Sequence, residues 1–155
     1  MAELTHLDAE GNARMVEVGD KQVTEREATA EGWITLSDEA AEAVAQRKVK
    51  KGDVLAIAQL AGIQAAKRTS DLVPLCHPIP LTGVKVSLTQ DGTRVHATAR
   101  VRCTWKTGVE MEALTAVSAA LLTVYDMVKA VDKGPELGPI RLVAKSGGKS
   151  GTWTR

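Results

Sequence analysis

The chain has 155 residues, of which 44% are hydrophobic and 25% charged, with a formal net charge of +1. This composition is typical of one soluble globular domain with a core of its own, and the near-neutral charge excludes a global basic field for nucleic acid. Three Trp, one Tyr and no Phe argue against a stacking platform for single-stranded bases, and two cysteines form no disulfide framework.

The first residues are acidic where an export signal is basic and then apolar, so we expect no export signal, no membrane segment and a cytoplasmic protein. Residues 1–22 are polar and predict a mobile N-terminal arm. The next stretch, Val23 to Leu36, predicts a strand.

Two helices are predicted to follow this strand. Ser37 offers an N-cap to an Ala-rich helix that ends near Arg47. Asp53 can cap a second helix with apolar residues at helical spacing, ending at Lys67 and Arg68.

The segment from Pro74 to Pro80 contains three prolines in seven residues, which forbids a helix and predicts a stiff loop. Apolar residues then alternate with polar ones on both sides of Asp91-Gly92, which predicts a β-hairpin. A last strand is predicted around residues 140–145, followed by a flexible C-terminal tail over residues 147–155.

The predicted order is strand, two helices, hairpin, helix and strand. This split β-α-β order is typical of a ferredoxin-like α+β fold, with an antiparallel sheet and helices packed on one face. We therefore expect a single domain over residues 23–146, which leaves the other sheet face and the central helix for self-association.

The central helix is the stretch from Lys106 to Lys133, uncharged from Ala113 to Tyr125 and charged at both ends. Fourteen residues separate Glu112 from Asp126, a distance of ~21 Å along a helix. One compact site cannot hold both ends of one helix. We expect either a long ligand or a site shared between two copies of the chain.

Asp126 and Lys129 share one side of this helix, because they are three residues apart. A surface ion pair explains them as well as catalysis would if they stood alone, but their place on an otherwise buried helix favours an acid/base pair. Glu110 and Glu112 are accounted for by the preference of acidic residues for a helix N-terminus.

The remaining candidates have weaker patterns. Lys50, Lys51, Lys67 and Arg68 are explained by solubility, although a phosphate-bearing ligand would use the same donors. Adjacent Cys76 and His77 make a poor zinc site, and the pattern favours His77 as a hydrogen-bond donor to a ligand over Cys76 as a nucleophile. No metal site is predicted.

Four strings of the sequence resemble one family: Gly62–Pro78, Lys106–Thr115, Tyr125–Ala130 and Ala144–Gly151. They are similar to the molybdenum cofactor biosynthesis protein C family, the cyclic pyranopterin monophosphate synthases. The resemblance extends over nearly the whole chain.

The resemblance implies a lyase that acts on a GTP-derived substrate supplied by a radical S-adenosylmethionine enzyme. The substrate, 3′,8-cyclo-7,8-dihydro-GTP, is rearranged to cyclic pyranopterin monophosphate with release of pyrophosphate, and the motifs demand no metal or organic cofactor. The resemblance further implies a homohexamer, a trimer of dimers with its site at a subunit interface.

The resemblance also assigns roles to individual residues. Asp126 would be the catalytic acid/base, assisted by Lys129 and Lys51. Leu75, Cys76, His77, Glu110, Met111, Glu112, Arg26, Lys67 and Lys145 would bind substrate, the basic ones at its phosphates. A non-catalytic nucleotide-sensing module and a purely structural oligomer subunit stay open as alternatives.

Overall fold

The computed structural model describes residues 2–48 and 53–155. In chain order the elements are β1 (Thr24–Thr35), α1 (Asp38–Ala45), α2 (Val54–Ala66), α3 (Thr69–Leu72), β2 (Leu81–Asp91), β3 (Arg94–Trp105), α4 (Glu110–Val128), β4 (Glu136–Ser146) and β5 (Trp153–Thr154). The short helix α3 and the two-residue strand β5 were not predicted from the sequence. The mobility of the arm and the tail stays a prediction.

The helices α1 and α2 begin directly after the N-cap residues that the sequence predicts for them. The side chain of Ser37 accepts a hydrogen bond from the amide of Ala40 at the start of α1. Asp53 accepts one from the amide of Ala56 at the start of α2. Both residues satisfy an amide that has no partner within the helix.

The strands form one antiparallel sheet in the order β2-β3-β1-β4-β5. Its first four strands have the split β-α-β connectivity of a ferredoxin-like domain, and the predicted α+β class is confirmed. The hairpin between β2 and β3 turns at Gly92 and Thr93, where Gly92 has a φ of 58°. Glycine adopts this left-handed conformation at no steric cost.

The core lies between one face of the sheet and the two long helices, α2 and α4. Small residues of β1 and β3 pair across this face, with Ala28 opposite Val101 and Ala30 opposite Ala99. α4 packs on β1, β3 and β4, and α2 packs on α4 and β2. Alanine side chains let the backbone of α4 come close to the sheet.

The other face of the sheet carries cross-strand ion pairs and an aromatic stack. The ion pairs are Glu27 with Arg100 (2.9 Å) and Arg102 (3.2 Å), and Glu31 with Arg141 (2.9 Å). His96 Nε2 also lies within hydrogen-bond distance of Glu31 Oε1, at 3.0 Å. Trp33 stacks on His96 with ring centroids 4.7 Å apart. Charged side chains that alternate with the core residues of β3 are thus ordered by their neighbours on β1.

α4 is the one helix of the described structure that is long and apolar enough to cross a membrane by length and composition. Half of its most apolar stretch is buried inside the protein. Its apolar residues pack on the sheet and on α2, as in the core helix of a globular domain.

Gly32 lies in β1 beneath α4, where an added Cβ atom would lie 2.8 Å from Val117 Cγ1 and 2.9 Å from Leu121 Cδ1. We expect Gly32→Val to lower the free energy of unfolding by roughly 1–3 kcal/mol, because it overpacks the contact between helix and sheet. Gly83→Val is the control, since a Cβ there meets only Arg102, at 4.0 Å. Urea titration measures both variants, and wild-type stability of Gly32→Val would contradict the expectation.

Candidate functional site

The first turn of α4 separates the two acids that the sequence places two residues apart. Glu112 is buried, with 3% of its surface exposed. Glu110 is half-buried and lies 3.5 Å from Lys145 Nζ on β4. The two carboxyl groups therefore have different surroundings, as expected for helical residues that point to opposite sides.

The carboxyl group of Glu112 is not fully satisfied by the protein. Among the described residues its Oε1 atom has no hydrogen-bond partner, and its Oε2 atom accepts a weak contact from Cys76 Sγ at 4.0 Å. Burial, with a smaller contribution from the charge of Glu110, raises the pKa of Glu112 to about 7, against the opposing effect of a hydrogen bond from its own backbone amide. A buried acid with an unused oxygen indicates a ligand that supplies the missing partner.

Cys76 is an unreactive neighbour of this acid. Burial, and then the charges of Glu112 and Glu110, raise the pKa of the Cys76 thiol to about 11. A thiol with so high a pKa is protonated near neutral pH and is a poor nucleophile. The high pKa is consistent with the expectation that Cys76 is not a nucleophile, and the roles of Cys76 and His77 in ligand binding stay predictions.

A pocket of about 340 Å³ opens beside Glu112. It is lined by Ala66, Lys67, Thr69, Ser70, His77, Pro78, Ile79, Pro80 and Glu112. The end of α2, the proline-rich loop and the first turn of α4 meet here, so Lys67, His77 and Glu112, all predicted for substrate binding, line the same pocket. Its volume falls in the range of small-molecule sites in proteins.

Asp126 and Lys129 lie at the opposite end of α4. Lys129 Nζ is 2.9 Å from Asp126 Oδ1, and the two side chains are 59% and 54% exposed. The hydrogen bond and charge of Asp126 raise the pKa of Lys129. The single chain therefore keeps Lys129 charged, because its side chain is largely in water and paired with Asp126.

The other predicted substrate contacts that the structure describes belong to segments around the start of α4. Leu75 is half-buried in the proline-rich loop, and Met111 is 40% exposed at the start of α4. Arg26 on β1 donates to Thr24 Oγ1 at 2.7 Å and to the carbonyl of Lys106 at 3.3 Å. Lys51 lies outside the described residues.

The close approach of the tail to Glu25 and Arg26 accounts for two glycines, Gly147 and Gly148. An added Cβ atom would overlap the carbonyl of Glu25 at Gly147 and the guanidinium of Arg26 at Gly148. Both glycines have positive φ angles, of 98° and 72°. The chain after β4 can pass so closely over Arg26 because neither residue has a side chain.

Thr69 and Ser70 line the pocket but were given no role from the sequence. They form the start of α3 directly after the basic end of α2. The Thr-Ser pair within the string Gly62–Pro78 was the only sequence pattern that could have pointed to them. It is a weak one, because hydroxyl residues after a helix are common in ordinary turns.

Among the described residues, no group of three or more His, Cys, Asp and Glu side chains is placed to hold a metal ion. The polar lining of the pocket consists of one buried acid, one imidazole, two hydroxyl groups and one lysine. Groups of this kind can transfer protons and bind anionic ligands.

The raised pKa of Glu112 has a consequence for stability. The folded protein binds this proton more tightly than the unfolded chain, so the contribution to stability is complete below the ordinary pKa of 4.5 and is lost as pH rises through about 7. We expect the stability of the wild type relative to Glu112→Gln to fall by about 3 kcal/mol between about pH 4.5 and about pH 8.

Urea titrations at the two pH values measure this difference. Glu39→Gln is the control, because Glu39 is an exposed acid in the first turn of α1. Parallel pH dependence of the wild type and Glu112→Gln would show that the buried carboxyl does not change its protonation on folding.

The sheet and this pocket define an α+β protein with a pocket beside a buried acid at the start of its central helix. The model of the MoaC family matches residues 15–148. The chain belongs to the MoaC family, and the family predicted from the four strings is confirmed.

Relatives match over the whole length of the chain. It is 59% identical over 153 residues to a protein of Rhodospirillum rubrum, covering 97% of this chain and 92% of the relative. It is 56% identical over 155 residues to one of Chloroflexus aurantiacus, covering 99% and 95%. It is 55% identical over 157 residues to one of Thermomicrobium roseum, covering 100% and 95%. All three relatives are named cyclic pyranopterin monophosphate synthase.

Proposed function

We propose that this protein is a cyclic pyranopterin monophosphate synthase, a lyase of molybdenum cofactor biosynthesis. Its substrate would be 3′,8-cyclo-7,8-dihydro-GTP, which it rearranges to cyclic pyranopterin monophosphate with release of pyrophosphate. The observation that carries this proposal is the buried Glu112 with its unpartnered oxygen, beside His77 and Lys67, in a chain 55–59% identical to synthases.

The chemistry of the reaction matches the groups around the pocket. Opening a purine and closing a pterin need repeated proton transfers, and a carboxyl with a pKa of about 7 can both give and accept protons near neutral pH. Release of pyrophosphate needs cations at the leaving group. Lys67, Lys145 and Arg26 are the basic candidates for this role.

Asp126 is the proposed acid/base of the main step, with Lys129 and Lys51 as further proton donors. Its ion pair with Lys129 lies at the end of α4 away from Glu112. The described helix is continuous between the two acids, which places them ~21 Å apart. One compact reaction centre can therefore contain both acids only if two copies of the chain contribute to it.

The exposed side of α4 suits a contact between two copies. A stripe of residues recurs every three or four positions and is exposed or half-buried: Met111, Thr115, Ser118, Leu122, Asp126 and Lys129. Leu122 is 62% exposed and Met111 40%, although both are large and apolar. Such a stripe is suited to packing against another helix.

An antiparallel crossing of two α4 helices at Ala119 would join the two ends. Ala119 is midway between Glu112 and Asp126, so Glu112 of one copy would lie level with Asp126 of the other. Ser118 and Ala119 are small enough for a close approach. We propose this twofold contact within a homohexamer of three dimers, working in the cytoplasm.

Purified protein incubated with the cyclised intermediate tests the proposal. Pyranopterin and pyrophosphate are expected in equal amounts. Binding of the intermediate without pyrophosphate release would instead identify a nucleotide-sensing module, and absence of binding would leave only a structural role.

A further inference from the structure

The N-terminal arm lies against the loop that carries His77. Within the arm, Val16 and Val18 are half-buried, whereas Met15, Glu17 and Gly19 are exposed. This alternation places one side of an extended segment on the body of the protein. We call residues 15–19 the strap.

Two hydrogen bonds fasten the strap. His77 Nε2 is 2.7 Å from the carbonyl oxygen of Val16, and Lys106 Nζ donates to the carbonyl oxygen of Gly19 at 2.9 Å. Lys106 in turn accepts a bond from Arg26 through its own carbonyl. The strap therefore links the proline-rich loop to the corner where Arg26 lies.

A carbonyl oxygen can only accept a hydrogen bond, so His77 Nε2 must carry a hydrogen to make this contact. In the neutral ring Nδ1 is then a bare acceptor. The hydrogen bond to Val16 thus determines which neutral tautomer His77 adopts, and His77 lines the pocket beside Glu112.

We propose that the strap positions His77, through the carbonyl of Val16, so that Nδ1 is the ring nitrogen presented to the ligand. Val16 is a positioning residue. The Nδ1 atom of His77 accepts a hydrogen bond from the ligand, so the ligand group at this position is a donor, an N–H or O–H. A carboxylate or phosphate oxygen would not match a neutral Nδ1. The lysines and Arg26 then bind the anionic groups of the ligand.

Nitrogen-15 NMR of imidazole-labelled protein tests the tautomer directly. In the neutral form of the ring we expect one imidazole with a protonated Nε2 and an unprotonated Nδ1, whose signals disappear in His77→Gln. Signals of the reverse tautomer, or of two rapidly exchanging tautomers, would overturn the proposal. This measurement needs neither substrate nor turnover.

Cleavage by trypsin after Arg14 and Lys21 tests the fastening of the strap. Gln reaches as far as His Nε2 and can still donate to Val16, whereas Asn reaches only as far as Nδ1. We expect about 5-fold faster cleavage in His77→Asn, the loss of one hydrogen bond, and near wild-type cleavage in His77→Gln. Equal rates in His77→Asn and the wild type would overturn the proposal.

The effect of the strap on ligand binding rests on the proposed function, and a pair of variants at Lys106 tests it. Lys106→Met removes the second bond of the strap, and we expect KM for the cyclised intermediate to rise several-fold with kcat within 2-fold. Lys106→Arg should restore KM, since it keeps a donor. No turnover by the wild type would contradict the proposed function, whereas an unchanged KM in Lys106→Met would contradict the strap alone.

Discussion

Asp126→Ala is expected to fold and assemble normally but to lower the rate of pyranopterin formation by roughly 10²–10⁴-fold, the usual contribution of a positioned acid/base group. Its carboxyl is about half exposed and pairs with Lys129 on the surface of the single chain. Such pairs contribute about 0–1 kcal/mol to stability, so the loss would not come from unfolding. Release of pyrophosphate from the cyclised intermediate measures the effect.

Asp71→Ala is the matched control for this variant. Asp71 forms an exposed ion pair with Arg68, also three residues apart, at 3.9 Å. We expect this control to keep most of its activity. Turnover near the wild-type rate in Asp126→Ala would remove Asp126 from the mechanism, and Lys51→Ala is expected to resemble the Asp126 variant.

Mixing two inactive variants is expected to restore about a quarter of the wild-type activity. Glu112→Gln and Asp126→Ala, unfolded together and reassembled, would pair at random, so about half of the dimers would contain one copy of each. Each mixed dimer has one site with both acids intact and one site with neither. The physical reason is the ~21 Å of helix that separates the two acids in one chain.

A mixture of Asp126→Ala with Lys129→Met is the control. Both residues lie at the same end of α4, so every site in a mixed dimer would lack one of them and no activity should return. Recovery in the first mixture and none in the second supports the shared site. No recovery in either mixture, with mixed oligomers present, would contradict it.

Patterns that depend on neighbouring residues were readable from the sequence. Ser37 and Asp53 cap their helices through amides three residues away, and the apolar alternation around Gly92 specifies the hairpin. Helix α3 and strand β5 were missed. β5 is formed by two residues whose partners, Ala144 and Lys145, lie about ten residues earlier in the chain, and so short a strand has no pattern of its own.

By itself, the sequence determined the order of elements, the family and the two charged ends of α4. Only the tertiary structure decided which end holds a preformed pocket. Glu112 is buried because α2, the proline-rich loop and β3 meet around it, whereas Asp126 stays on the surface of the single chain. Burial depends on contacts between distant segments, and it is the main cause of the raised pKa of Glu112, whereas Asp126 at the other end of the helix stays about half exposed.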